Sequence, residues 1–151
     1  MKINIYTIEK KSSSDLDKFI QKELKMIQKY AQIKEFSIFN KKISQAQNQD
    51  VIIAQSSYSK AFEPYLNGYN IALHPKGEEI DSFEFSKIFD INTALNFFIG
   101  GAYGFESSFL LKMDRVISLG RLTLSHKVAK AVLFEQIFRG LSIKNNHPYH
   151  K

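Results

Sequence analysis

The sequence predicts an α/β fold built on a mainly parallel sheet with helices on both faces. Two observations point to it. Short apolar runs alternate with segments of helical periodicity from one end of the chain to the other. The 151 residues, 44% hydrophobic and 13% aromatic, suffice for one core but not for a second independent domain. Residues 1–151 therefore read as a single domain, with no internal repeat, low-complexity tract or linker.

Lys2 to Ile8 alternates polar and Ile-rich apolar positions and is the first strand. Ser14 offers an N-cap with Asp15 and Asp17 in the first turn, and Leu16, Phe19, Ile20, Leu24, Ile27 and Ala31 follow at helical spacing. Ile33 to Phe39 reads as the second strand. From about Ile43 to Leu66 no single assignment stands out. The stretch starts Gln-rich, turns apolar at Val51-Ile52-Ile53-Ala54, and meets Pro64, which ends or kinks a helix.

Tyr69 to Leu73 is the third strand, and His74-Pro75-Lys76-Gly77 reads as a turn by its Pro and Gly. A short helix from about Asp81 leads to the fourth strand at Leu95 to Ile99. A helix near Glu106 to Lys112 precedes a fifth strand at Arg115 to Leu119. The final helix, about His126 to Ile143, carries Val128, Ala129, Ala131, Val132, Leu133, Phe134, Ile137, Phe138 and Leu141. Apolar residues occupy too much of its circumference for a helix with one face in water. It needs a second partner, and a homodimer interface is preferred to an unusually buried core helix.

The 21 Lys+Arg against 15 Asp+Glu give a net charge of +6 and a pI near 9.4, which favours a polyanionic partner such as nucleic acid. Without cysteine there is neither disulfide nor thiolate metal site. The N-terminus lacks the h-region and cleavage site of a signal peptide, and no segment approaches the ~20 apolar residues that span a bilayer. A cytoplasmic protein without a membrane partner is expected. His147-x-x-His150 is not read as a metal site, because Pro148 breaks helical presentation and no Cys or nearby carboxylate completes a ligand set. Lys10-Lys11 and Lys41-Lys42 read as solvated surface.

The chemistry concentrates near the C-terminus. The run Ala94-Leu95-Asn96-Phe97-Phe98-Ile99 enters the loop Gly100-Gly101-Ala102-Tyr103-Gly104, where backbone N–H groups can approach a ligand without Cβ interference. The loop lacks the first glycine of G-x-G-x-x-G, and no G-K-[ST] occurs, which disfavours NAD enzymes and P-loop NTPases. Ligands of open α/β sheets lie beyond the carboxyl ends of strands. Leu73-His74-Pro75 and Leu119-Gly120-Arg121-Leu122-Thr123-Leu124 are the two further strand exits that can converge there.

Four blocks carry a resemblance. They are Phe98-Ile99-Gly100-Gly101-x-x-Gly104, Ser118-Leu119-x-x-Leu122-Thr123-Leu124-x-His126, Leu133-x-Glu135-Gln136-x-x-Arg139, and Asn146-His147-Pro148-Tyr149-His150-Lys151. With their spacing they resemble the RlmH family of SPOUT-class methyltransferases, specifically over about residues 94–151 and loosely but colinearly before. The resemblance implies a C-terminal trefoil knot, a homodimer, and transfer of a methyl group from S-adenosylmethionine to N3 of pseudouridine 1915 in 23S rRNA within ribosomal particles. It implies a cofactor site at Leu73, Gly100, Leu119, Gly120, Arg121, Leu122, Thr123 and Leu124. The substrate side would draw on Arg139, Tyr149 and His150, with His126 nearby.

In that reading Arg139 stabilises the anion that forms when the imide proton leaves, Tyr149 stacks on or hydrogen-bonds the base, and His150 shuttles a proton. The chain departs from the family pattern at three places. Ala102-Tyr103 stands for Pro-Glu in the glycine loop, Ser125 for the Pro before His126, and Lys130 for an Arg, keeping a cation but losing a bidentate fork. Two other readings stay open: a non-catalytic ribosome-binding or assembly protein, and a knotted methyltransferase with another, small-molecule substrate.

Overall fold

The computed structural model describes all residues from Met1 to Lys151. Five strands, β1 (Lys2–Ile8), β2 (Gln32–Ile38), β3 (Tyr69–Glu79), β4 (Leu95–Ile99) and β5 (Arg115–Ser118), form one sheet in the order β2-β1-β4-β3-β5. Every neighbouring pair is parallel. Helices α1 (Asp15–Ile27), α2 (Lys41–Gln47), α3 (Val51–Phe62), α4 (Ser82–Ser86), α5 (Ser107–Leu110) and α6 (His126–Lys144) supply the two outer layers. No helix is long and apolar enough to cross a membrane.

A parallel sheet is covered on both faces, so its central strands are apolar throughout rather than alternating. In β4 all five residues, Leu95 to Ile99, are buried. Ile3, Ile5, Ile71, Leu95, Phe97 and Ile117 face the layer of α1, α4 and α6, where Ile20, Ile27, Phe85, Leu133, Phe134 and Ile137 close the larger core. Tyr6, Ile8, Ala72 and Phe98 face the other layer, filled by Ile43, Tyr58, Phe62 and Phe109. There Phe62 meets Phe98 edge-on, with ring centroids 5.1 Å apart.

The stretch without a clear assignment is two helices. Asn40 caps α2 by accepting from the Ile43 N–H at 2.8 Å, and Asp50 caps α3 by accepting from the Ile53 N–H at 2.8 Å. Pro64 lies in the 3₁₀ turn Glu63–Tyr65 that ends α3. At the start of α1, the expected cap Ser14 donates its N–H to the Asp17 carboxylate at 2.7 Å.

Two expectations need correction. His74-Pro75-Lys76-Gly77 is not a turn: β3 continues to Glu79, and both Leu73 and Glu78 pair with Ile117 of β5. Pro75 lacks the ladder donor, so these four residues bulge from the register instead of reversing the chain. The second concerns α6. Most of its apolar circumference is covered within the chain, by the sheet, α1 and α4; Phe138 is 2% exposed, and Val128 alone of the apolar residues named on it is exposed. It is the unusually buried core helix, so its composition gives no reason to require a second copy.

Candidate functional site

The parallel strands all present their carboxyl ends on one side of the sheet, and the exits of β4, β3 and β5 lie next to one another there. Together with the first turn of α6 they enclose a cleft of about 650 Å³. Its walls include Leu73, Pro75, Ile99, Gly100, Leu119, Leu122, Leu124 and Ala129, with Thr123 and His126 among the polar lining. That size and mixture suit a cofactor-sized organic ligand oriented by a few polar groups.

The glycine loop is a tight turn: the Gly104 N–H donates to the Gly101 carbonyl at 3.0 Å, and Gly104 takes φ 71°, a left-handed conformation that glycine adopts without strain. Gln55 of α3 pins the loop by donating to the Tyr103 carbonyl at 2.8 Å. The exit of β5 is tied to the bulge of β3, because the Ser118 hydroxyl accepts from the Gly120 N–H at 3.1 Å and donates to the Pro75 carbonyl at 3.1 Å. Ser118 thus ties two of the three loops together, while the glycine loop is held by its own turn and by α3.

Of the eight residues expected at a cofactor site, Leu73, Gly100, Leu119, Gly120, Leu122, Thr123 and Leu124 line the cleft. Arg121 does not. Its side chain is 89% exposed and turns away to Glu79, 3.7 Å distant. Gly100 lines the cleft, but a Cβ there would meet the Gly104 backbone at 3.2 Å rather than the cavity alone. Its smallness serves the packing of the loop on itself as much as access to a ligand.

His74, within the bulge, accepts from the Lys76 N–H through Nδ1 at 3.1 Å, which leaves Nε2 as the protonated nitrogen. Burial, with Lys76 adding repulsion, pushes its pKa below the usual imidazole range and keeps the ring neutral at pH 7. A neutral ring in this wall does not repel a cationic ligand. His126 stands at the opposite wall with Nε2 3.4 Å from the Glu9 carboxylate. Behind it Lys130, buried, donates to Glu35 at 2.8 Å and to Glu9. Lys130 is therefore a structural cation joining α6 to Glu9, just past β1, and to Glu35 in the middle of β2.

Arg139, Tyr149 and His150 form a second cluster at the far end of α6. The Arg139 Nε donates to Glu135 at 2.9 Å, the Tyr149 hydroxyl donates to the same oxygen at 3.0 Å, and the guanidinium covers the Tyr149 ring at 4.7 Å. His150 Nδ1 lies 3.2 Å from Arg139, and its ring meets Phe83 edge-on at 4.8 Å. The hydrogen bond to Glu135 raises the Arg139 pKa further, while burial and Glu135 keep the Tyr149 phenol protonated above its usual range. The three residues expected at the substrate are brought together, but none lines the cleft. No group of three or more His, Asp or Glu side chains is placed to hold a metal, and His147 packs on Phe138 rather than joining His150.

Sequence reasoning missed Lys76, Ala129 and the Glu9–Lys130–Glu35 network. A lysine among apolar neighbours in α6 was a signal for the network, but carboxylates 95 and 121 residues away carry none. Glu135 was legible as the i,i+4 partner of Arg139.

The sequence pattern of the family described as predicted SPOUT methyltransferase matches residues 1–150. Ribosomal RNA large subunit methyltransferase H of Aliarcobacter butzleri is 52% identical over 151 residues, covering all of both chains. The protein of that name from Campylobacter jejuni serotype O:23/36 is 48% identical, again end to end. In fold, the chain resembles the structure of a probable methylase family protein from Haemophilus influenzae Rd KW20. The TM-score is 0.56 at 15% identity, over 99% of this chain and 70% of that one. Full-length identity of about one half, on top of the family match, leaves one conclusion: this chain belongs to the SPOUT methyltransferase family, among the relatives of ribosomal RNA large subunit methyltransferase H.

Proposed function

We propose that the protein is an S-adenosylmethionine-dependent methyltransferase that modifies N3 of a pseudouridine, position 1915 of 23S rRNA, in ribosomal particles of the cytoplasm. The observation that carries the reading is the cleft at the exits of β3, β4 and β5, in a chain whose relatives at 48–52% identity are named large-subunit rRNA methyltransferases. Apolar walls fit an adenine ring, the glycine loop and Gly120 offer backbone groups to its edges and to the ribose, and neutral His74 tolerates a sulfonium. The cofactor supplies an electrophilic methyl group there.

The chain's residues bind and orient. Leu73, Gly100 and Leu119 to Leu124, Arg121 excepted, hold the cofactor; Tyr149 stacks on or hydrogen-bonds the base. Arg139, kept charged by Glu135, stabilises the anion left when the imide proton departs. Arg139 lies about 20 Å along α6 from His126 at the cleft, taking a rise of ~1.5 Å per residue. Reacting groups must approach within ~3.5 Å, so one chain does not complete the site. A homodimer in which the cluster of one copy meets the cleft of the other resolves the distance. Phe19, Leu122 and Val128, exposed on or beside α1 and α6, are the apolar surface available for it.

The crossing of the chain from β5, past the exits of β3 and β4, to Glu9 and Glu35 beyond them supports including the trefoil knot in the proposal. Calorimetry with S-adenosylmethionine tests the cofactor assignment. Wild type should bind, and a folded Gly100→Val protein, whose loop must shift away from Gly104, should not. Absence of binding by wild type contradicts the reading.

A further inference from the structure

We propose that the outer face of α1 is a track for the phosphate backbone of the RNA, with Lys18, Lys22, Lys25 and Lys29 as its contacts; this rests on the rRNA reading above. The four occur at i, i+4, i+7 and i+11 and so share one face, extending into the turn after Ile27. That face is opposite the buried side of α1, which holds Ile20, Glu23 and Ile27. All four lysines are exposed. None takes part in an ion pair. Of the two carboxylates in the first turn, Asp15 and Asp17, Asp17 is committed to the Ser14 N–H.

The lysines border a shallow surface concavity of about 570 Å³ together with Asp17, Gln21 and Met26. They succeed one another about every 5 Å along the helix axis, over roughly 16 Å, which suits several consecutive phosphates. Two cations of α6 do not extend this track: Arg139 is paired with Glu135, and Lys130 is buried between Glu9 and Glu35.

Location argues the same way. The C-terminal end of the stripe reaches Lys29, next to Tyr30, whose ring is 6.5 Å from Phe138; Phe138 in turn packs on Tyr149 at 4.7 Å. An RNA strand following the lysines is led to the base-binding tail. An anionic membrane is the competing polyanion. Helices that lie on membranes insert an apolar face, and that of α1 is buried in the core apart from Phe19, leaving too little to insert.

The experiment compares wild type with K18Q/K22Q/K25Q/K29Q and with the charge-matched control K41Q/K42Q/K60Q/K87Q, whose four lysines are likewise exposed and unpaired. Binding of a fluorescent single-stranded RNA of about 20 nucleotides is followed by anisotropy between about 50 and 200 mM salt. The stripe variant should lower the slope of log affinity against log salt by about 3, at ~0.7 for each phosphate no longer neutralised, and the control should not. The stripe variant's thermal transition and S-adenosylmethionine affinity should match wild type. Equal slopes in wild type and the stripe variant, or equal reductions in both variants, overturn the proposal. Loss of binding to phosphatidylcholine–phosphatidylglycerol vesicles with RNA affinity intact assigns the face to lipid and also overturns it. Wild type failing to bind the RNA also overturns the proposal, whereas the rRNA reading fails only if ribosomal particles are not methylated.

Discussion

Lys130 of α6 donates to the Glu35 carboxylate of β2 at 2.8 Å, and with Glu9 this buried contact fixes the start of α6 beside the cleft. Burial alone would lower the lysine pKa, but the hydrogen bonds to Glu35 and Glu9 outweigh it and raise it. The amine is therefore charged at neutral pH, and removing it leaves carboxylates in the interior without a counter-charge.

Lys130→Met should destabilise the protein by about 3–5 kcal/mol in urea unfolding at pH 7. The folded pKa is raised, so the stabilisation is fully present below the unfolded lysine pKa and is lost as pH rises through the folded value. The gap between variant and wild type should thus persist to about pH 10 and shrink above it. A stability within error of wild type at pH 7 would show that the network contributes nothing.

Glu23 gives the opposite test. It is 3% exposed, its Oε2 has no partner, and burial, then repulsion from Glu135, raises its pKa against opposing attraction from Lys22 and Arg139. For a carboxylate with a raised folded pKa, stability is greatest when it is protonated and falls as pH rises from the unfolded value through the folded one. Glu23→Gln should therefore raise Tm at pH 7–8, by about 2–4 °C if the gain is about 1 kcal/mol, with a smaller gain near pH 4.5. A gain independent of pH would contradict the assignment.

In the glycine loop, two alanines should behave differently. A Cβ on Gly101 would sit 2.6 Å from the buried Tyr58 ring and 2.9 Å from Ile8, whereas one on Gly104 meets nothing within 4 Å but inherits φ 71°. Gly101→Ala should cost about 1–3 kcal/mol through overpacking, and Gly104→Ala about 1 kcal/mol through backbone strain. Thermal denaturation of both, beside cofactor calorimetry, separates loss of fold from loss of binding.

The shared site predicts complementation. Gly100→Val removes the cleft of one copy, and deletion of Tyr149 to Lys151 removes the tail of the other. Each alone should abolish methylation, the tail deletion without loss of cofactor affinity. Mixed after co-refolding, they should regain activity in heterodimers that pair an intact cleft with an intact tail. A mixture as inactive as its components would place cleft and cluster of each site in one chain.

Much of this architecture was legible in the sequence, because apolar runs of strand length and capped periodic segments are local signals. Four strands and α6 fall where periodicity puts them, and β3 starts at Tyr69 as expected but runs on to Glu79. The segment from Ile43 to Leu66 was not resolved, since its caps, Asn40 and Asp50, flank helices of weak periodicity. The bulge at His74 to Gly77 depends on how β3 registers against β5, which no local residue reports. Glycine and leucine positions of the cleft were carried by the family resemblance. Arg121 was misplaced because a loop position fixes the backbone but not the direction of a long side chain. Phe138, read as a candidate partner surface, is core because α1 and α4 cover it, a long-range fact of topology.

The central claim is methyl transfer to one nucleotide of large-subunit rRNA. The direct measurement is mass mapping of 23S rRNA from ribosomes of a strain lacking this gene, before and after incubation with the purified protein and isotopically labelled S-adenosylmethionine. The account predicts one labelled methyl group per particle, on N3 of a single pseudouridine, with none transferred to free pseudouridine. Label spread over several nucleotides, confined to small acceptors, or absent from particles that bind the protein would contradict it.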